Sequence, residues 1–466
     1  MNTNWIIELR LLYRDRLLAI TLPMLLVVIL FATQTGYHYR IQWQKTFQSL
    51  TSENHAYLKE QADAVREKRP IPVDAELWEI HGAPTSIDVV MAAAVPPLAH
   101  FSLGQSDLYP RRSEANLWSR ADSLFQREDL QSPLTLASGR FDLSFVVIAI
   151  VPLIIIIGCF DIVSSDRVSG RLALLPVQAG GLKTLIIRRL AVCGAILCIL
   201  IVALFIWGLI TSSPLLPLLL WCVLASLYLV FWLLLSAALG LQSQPPDIQA
   251  VRLIAIWLLL VFVLPAGINR LADVLSPLPV KSTFVSMVRE AEILADKEAQ
   301  ILAETYLSDH PELVSHDIED NSNWMKTYLP VQRAIEQRTA KVLADNETQR
   351  KRSHFVTHVL QYLSPAAVLQ ITLSDVAGTG PEHQAAYVTS AQNYQSLLLQ
   401  QLTHAQFKQI QFSAEEIEAL PRFTPPEWVP AYSGGLIAVS IAYLFTLCLL
   451  SAVAVIRQIK RISPIQ

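Results

Sequence analysis

One short run of the sequence has the residue types of a phosphate-binding loop. It reads Gly180-Gly181-Leu182-Lys183-Thr184, and its glycines and lysine resemble a phosphate cradle in composition. The P-loop pattern G-x-x-x-x-G-K-[ST] requires the lysine directly after a glycine, so that backbone amides surround the phosphates. Because Leu182 intervenes here, the run predicts no nucleotide site. Any ATP and magnesium that drive this chain would therefore be bound by a partner subunit.

A second candidate is a pair of histidines, His354 and His358, four residues apart in a segment predicted to be helical. That spacing would place both imidazoles on one face of the helix, as in a metal site. The zincin motif needs glutamate after the first histidine, and Phe355 stands there instead. Serine, histidine and aspartate residues elsewhere lack the spacing of a nucleophile elbow. These features favour hydrogen-bonded histidines over ligands and predict no enzyme, no cofactor and no metal on this chain.

The composition indicates a membrane protein. Hydrophobic residues make up 53% of the 466 residues, charged residues make up only 16%, and the mean hydropathy is +0.40. A helix needs roughly 20 apolar residues to cross the hydrocarbon core, and six stretches meet this length. The sequence therefore predicts an all-α polytopic membrane protein with six transmembrane helices. A cleaved signal peptide is a poorer interpretation of the first stretch, because no small-residue cleavage site follows it.

Basic residues in the short loops predict the orientation of the spans. Short loops rich in lysine and arginine stay in the cytoplasm, whereas long domains cross the membrane regardless of charge. Every short loop agrees with cytoplasmic termini. The basic residues concerned are Arg10, Arg14, Arg16, Arg167, Arg171, Lys183, Arg188, Arg189, Arg252, Arg457, Lys460 and Arg461.

The chain can be divided on this basis into cytoplasmic, membrane and extracytoplasmic parts. All five cysteines fall within predicted spans, so no disulfide framework is expected outside the membrane. The predicted parts are an amphipathic helix at 1–16, spans at 17–36, 141–160, 190–210, 215–241, 253–270 and 434–456, cytoplasmic loops at 161–189 and 242–252, extracytoplasmic domains at 37–140 and 271–432, and a cytoplasmic tail at 457–466.

The second extracytoplasmic domain is predicted to be largely helical. Residues 281–310 contain no glycine or proline, and a long helix over 331–363 should end at Ser364-Pro365, because proline disfavours helix in the residue before it. A further helix is expected over 384–405. Two long helices predict an antiparallel pair. The first extracytoplasmic domain begins with a helical continuation of the first span, and the prolines that follow predict short elements.

Residues 4–16 predict an amphipathic helix on the cytoplasmic leaflet. Apolar residues recur on one side, and Glu8, Arg10 and Arg14 lie mostly on the other. The alternative is that this segment merely extends the first span into water.

The spans themselves carry no charge in their middles. Ion-coupled transporters keep ionisable residues in the membrane as relays and ion sites, and here every such residue lies at a span boundary or beyond. The pattern argues against a secondary transporter. It leaves an externally powered transporter, or a membrane sensor or scaffold.

The loop between the second and third spans is the most specific segment. It contains an acidic-basic pair and a glycine, followed by an apolar run, a proline and a basic return to the membrane. These residues are Asp166, Arg167, Gly170, Arg171, Leu172, Pro176 and Lys183. This order resembles the ABC type-2 transporter permeases, although that family more often has glutamate where Asp166 stands and threonine where Arg171 stands.

A second similarity covers residues 363–402, where Ser364-Pro365 and Ala377-Gly378-Thr379 resemble a bacterial subgroup of these permeases with a long insertion before the last span. The resemblance implies a permease subunit of an exporter, with the loop docking on an ABC ATPase subunit and residues 1–16 acting as the elbow helix. It also implies a second permease copy or a paralogue. A periplasmic or envelope partner and membrane lipid are further expected partners, and nucleic acid is not. The substrate is left open.

Overall fold

The computed structural model describes most of the chain. The described residues are 16–71, 79–104, 106, 111–119, 141–170, 181–277, short pieces within 286–309, 323–408, 410–427 and 434–462. All statements about the structure refer to these residues.

Among the described residues, six helices are long and apolar enough to cross a membrane, so the chain is a multi-pass membrane protein by helix length and composition. The first is α1, which runs without a break for 51 residues, or about 77 Å at 1.5 Å per residue. Its second half therefore extends well beyond any bilayer. The six helices are α1 (Arg16–Arg66), α2 (Leu143–Phe145, Val146–Ile150 and Val151–Cys159), α4 (Leu182–Ile210), α5 (Leu215–Gly240), α6 (Pro246–Leu258, Leu259–Val263 and Leu264–Leu275) and α11 (Gly434–Ile462).

The remaining elements lie between these helices. The short helix α3 (Ser164–Val168) follows α2, and two strands, β1 (Asp88–Ala92) and β2 (Arg112–Asn116), form an antiparallel sheet in which Val90 faces Glu114. Between α6 and α11, the structure describes four α-helices in full. They are α7 (Asn323–Leu360), α8 (Pro365–Ala377), α9 (Pro381–Phe407) and α10 (Ala414–Glu418). The all-helical expectation is thus confirmed for the long apolar helices, and the small sheet is an addition to it.

The helix α5 lies at the centre of the bundle. Trp221, Leu224, Tyr228 and Trp232 on its successive turns are all fully buried. A helix that is apolar all round lies in a protein core or in a membrane. The helix α5 packs against α2, α4, α8 and α11, and one face of it, which ends at Val230, is exposed. By contrast, α4 and α6 bury few of their side chains completely, as lipid-facing helices do.

Two π-turns in the spans are stabilised by side chains from other helices. A π-turn disturbs the regular backbone ladder and leaves carbonyl groups available to other donors. In α2, the carbonyls of Ile148 and Ala149 accept hydrogen bonds from the Tyr228 hydroxyl at 2.9 Å and the Trp257 indole at 3.0 Å. In α6, the carbonyl of Leu260 accepts one from the Ser364 hydroxyl at 2.6 Å.

The helices α7 and α8 form a hairpin that reaches into the bundle. The turn at Ser364 contacts the middle of α6, and Thr372 of α8 donates to Ser440 of α11 at 2.9 Å. Almost all of α8 is buried, whereas Phe355 and Val359 on α7 are exposed. The proline at 365 ends one helix and begins the next, as expected. The hairpin belongs to the segment predicted to be wholly extracytoplasmic, and the structure packs its turn among the spans.

The two segments predicted as separate external domains share one hydrophobic core. Ala62 of α1 and Met91 of β1 come from the first segment, and Leu398 of α9 and Ile417 of α10 come from the second. Tyr387 of α9 also donates to the Met91 carbonyl at 2.9 Å. The described parts of both segments therefore form one folded unit on the extended half of α1.

Candidate functional site

Arginines cluster at one end of the span bundle, which we call the arginine end. It contains Arg167, Arg189 and Arg252, close to the turns that join α2 to α4 and α5 to α6. The opposite end carries the shared core and is called the domain end.

The acidic residue of the predicted loop is paired inside the chain. The Asp166 carboxylate in α3 lies 2.9 Å from the Arg189 guanidinium in α4, and the two side chains are only 12% and 21% exposed. The same guanidinium donates to the carbonyl of Ile162. A largely buried charge is stable only with such partners. Asp166 therefore fixes α3 to the start of α4.

The neighbouring arginine reaches a different pair of helices. The Arg167 guanidinium donates to the Gln242 carbonyl at 3.0 Å, and the Gln249 side chain donates to that carbonyl at 2.8 Å. The Gln242 side chain in turn accepts a hydrogen bond from Arg252 at 2.9 Å. The five-residue helix α3 is thus tied both to α4 and to the turn between α5 and α6.

The other predicted loop residues have more open positions. Gly170 is exposed and has a left-handed φ of +71°, which favours glycine, and Lys183 is exposed on the first turn of α4. The structure brings Asp166, Arg167, Gly170 and Lys183 to the arginine end. The remaining predicted residues lie outside the described residues, and these are Arg171, Leu172 and Pro176 of the loop and Glu8, Arg10 and Arg14 of the elbow helix.

At the domain end, a buried histidine joins three elements and has no signal in the sequence. The His100 ring nitrogen Nε2 lies 2.8 Å from the Thr211 hydroxyl and 3.2 Å from the Ser213 hydroxyl, both in the turn between α4 and α5. Arg40 of α1 donates to the Thr211 carbonyl at 2.8 Å. The loop before α2 and the α4–α5 turn are therefore locked to α1.

Burial of His100 lowers its pKa to about 3, and the nearby Arg40 charge acts in the same direction. In the unfolded chain the ring protonates near pH 6.5, so below that pH the unfolded state binds a proton that the folded state does not. Stability contributed by neutral His100 is therefore present above about pH 6.5 and lost as the pH falls towards 3. We expect a loss of about 1.4 kcal/mol per pH unit in this window.

The measurement is detergent unfolding at pH 7 and pH 5, comparing the wild type with His100→Gln. We expect the variant to lose less stability between the two pH values. The exposed His38 provides the control, because His38→Gln should keep the wild-type dependence. If the stability of the wild type and of His100→Gln fell equally between pH 7 and pH 5, His100 would not be the source of this pH dependence.

The two histidines singled out in the sequence do not form a metal site among the described residues. His358 lies 3.7 Å from the carboxylate of Glu382 in α9 and close to the Gln361 side chain. Within the described parts of the chain, no group of three or more potential ligands is close enough to hold a metal ion. His358 instead helps to attach the end of α7 to the start of α9.

A family model described as "Domain of unknown function (DUF3526)" matches residues 281–425. The matched region begins after α6 and ends before α11, so it contains the α7–α8 hairpin, α9 and α10. No curated protein and no solved structure matches the chain.

Proposed function

We propose that this chain is the membrane-spanning permease subunit of an ATP-driven exporter of the ABC type-2 kind. The observation that supports it best is the double attachment of α3, through Asp166 to α4 and through Arg167 to the α5–α6 turn. A partner ATPase that docks on this end would move three spans through one small helix. In this proposal, the exposed Lys183 faces acidic residues of that ATPase.

The helix α4 would carry such a movement across the membrane. Its first half is attached to α3 by Arg189, and the turn after its last residue is attached to Arg40 and His100. Between these two ends α4 packs mainly against α5 and buries few of its side chains completely, so the two helices would move together. A push at the arginine end would therefore reach the domain end.

The remaining parts of the proposal follow the family resemblance. Both termini are cytoplasmic, the membrane is the bacterial inner membrane, and a second copy or a paralogue completes the pathway. ATP and magnesium bind to the ATPase subunits, and this chain is not an enzyme. The unit at the domain end receives substrate or docks an envelope partner.

Purification of the tagged chain in mild detergent tests the proposal. We expect an ABC ATPase to co-purify in equal amount, with hydrolysis that requires its own Walker lysine. Lys183→Glu should reduce the bound ATPase at least several-fold, because it places a negative charge against an acidic surface. The matched control is Lys408→Glu, since Lys408 is also exposed but lies at the end of α9.

Two outcomes would contradict the proposal in different ways. A preparation without any ATPase would favour a non-transporting sensor or scaffold. An ATPase that binds the wild type and Lys183→Glu equally well would keep the exporter but remove Lys183 from the docking surface.

A further inference from the structure

A cavity of about 80 Å³ lies at the domain end, between α1, the sheet and the start of α9. Trp43 of α1, Pro97, and Arg111 just before β2 form part of its wall. His383 and Tyr387 on the first two turns of α9 form another part. Three separate elements thus meet around one small space.

Arg111 places a positive charge in this wall, and its position is fixed by aromatic side chains. Its guanidinium carbon lies 4.6 Å from the ring centre of Tyr39 and 4.4 Å from that of Trp43, and it donates to the Tyr39 hydroxyl. Stacking of this kind holds the planar guanidinium in a set orientation. Among the described residues, no carboxylate forms an ion pair with Arg111.

His383 supplies a second polar group that lacks a partner. Both of its ring nitrogens are buried, and neither has a hydrogen-bond partner among the described residues. Burial lowers the pKa of His383 to about 4, so the ring is neutral at neutral pH. Buried polar groups in native proteins are normally satisfied. Because His383 lines the cavity, a ligand there would provide a partner for the neutral imidazole once the ring turns a nitrogen towards it.

The remaining wall determines which anion would fit. Pro97 and Tyr387 are mainly apolar and suit a short hydrocarbon group, while Glu427 lies at the cavity and would repel additional negative charge. A guanidinium pairs with a carboxylate through two parallel hydrogen bonds.

We propose that this cavity binds a small monocarboxylate with a short apolar group, with Arg111 as the anion partner. The carboxylate of an amino acid derivative has this chemistry. Binding at this cavity requires no ATP-driven transport, so its test is independent of the proposed permease function.

Thermal unfolding of the purified full-length protein in detergent tests the site. The probes are N-acetyl-alanine, its neutral amide N-acetyl-alaninamide, and inorganic phosphate. A ligand that binds only the folded state raises the unfolding temperature in a saturable way. We expect a shift of several degrees with N-acetyl-alanine and none with the amide or with phosphate.

Two neighbouring arginines provide a matched pair of variants. Arg111→Gln removes the cavity charge and should weaken binding of N-acetyl-alanine on the order of tenfold or more. Arg112→Gln should leave binding unchanged, because the Arg112 side chain is 50% exposed and pairs with Glu114. His383→Phe should weaken binding several-fold while keeping the apolar volume.

Three results would overturn the proposal. They are the absence of a shift with N-acetyl-alanine in the wild type, an equal shift with the amide, and equal binding by Arg111→Gln and Arg112→Gln. A shift in unfolding temperature with phosphate alone would show that the cavity binds an inorganic anion and not a carboxylate. Because the comparison of N-acetyl-alanine with its amide uses the wild type, it does not depend on whether Arg111→Gln folds.

Discussion

Replacement of Gly36 by alanine is expected to lower the free energy of unfolding by about 2–3 kcal/mol. A Cβ atom at Gly36 would lie 2.3 Å from the backbone carbonyl oxygen of His100. Backbone cannot rotate away as a side chain does, so the loop that holds His100 would have to leave α1. The His100 contacts with the α4–α5 turn would be strained or lost at the same time.

Gly267 in α6 is a suitable control, because a Cβ atom there would meet nothing within 4 Å. In a helix, alanine is more favourable than glycine by up to about 1 kcal/mol. The two substitutions should therefore have effects of opposite sign, although both are glycine to alanine in an apolar helix. Unfolding by increasing SDS fraction in mixed micelles, followed by tryptophan fluorescence, measures both. An unchanged midpoint for Gly36→Ala would show that the loop does not pack on α1 in solution.

The parts of the fold that the sequence predicted are those determined by local properties. The length and composition of an apolar run are enough to predict whether it spans a bilayer, without knowledge of the rest of the chain. The break at Ser364-Pro365 is local as well, since proline restricts its own neighbour. The end of α8 at Gly378, which has a left-handed φ of +77°, has a similar origin.

The parts that the sequence did not predict depend on contacts between distant residues. The strand β2 reads Arg-Ser-Glu-Ala-Asn, which has no strand signal, and it forms because β1 lies beside it. The shared core joins Ala62 to Leu398 across more than half of the chain. No periodicity or motif reveals which of two external segments will pack together.

The candidate site shows the same division. The types and spacing of Asp166 and Arg167 identified the loop as a candidate site. They did not predict which groups the two side chains would bind. Asp166 pairs with Arg189 rather than presenting its charge to solvent, and Arg167 binds a backbone carbonyl at Gln242. The structure describes two basic residues of the predicted site. Of these, Arg167 is partly buried and Lys183 is exposed. A docking surface predicted from charge alone would include Asp166 and Arg167, although both side chains bind other parts of the same chain.

Loss of Arg189 should be the most damaging change of charge at the arginine end. Arg189→Met leaves the largely buried Asp166 carboxylate without its guanidinium partner, and we expect a loss of about 3 kcal/mol of stability. It also removes the donor to the Ile162 carbonyl. Arg189→Lys keeps the charge but not the paired geometry of the guanidinium, so it should recover only part of the loss.

Arg66 provides a matched control, because it also bridges two elements through a carboxylate, that of Glu418. Both side chains of that pair are about half exposed, at 50% and 52%. Water and salt screen an exposed pair, so such a pair contributes little to stability. Arg66→Met should therefore have a small effect in the same unfolding assay. Comparable losses for Arg66→Met and Arg189→Met would mean that burial does not distinguish the two pairs.

A double-mutant cycle separates the pair from other effects of the substitutions. Asp166→Asn should also be destabilising, but combined with Arg189→Met it should cost less than the sum of the two single changes, because no buried charge then remains unpaired. If the pair also transmits force from a partner ATPase, the double variant should still bind that ATPase through Lys183 while its hydrolysis responds less to the permease. Additive single effects would show instead that Asp166 and Arg189 act independently, and α3 would then be held to α4 by packing and backbone contacts rather than by charge.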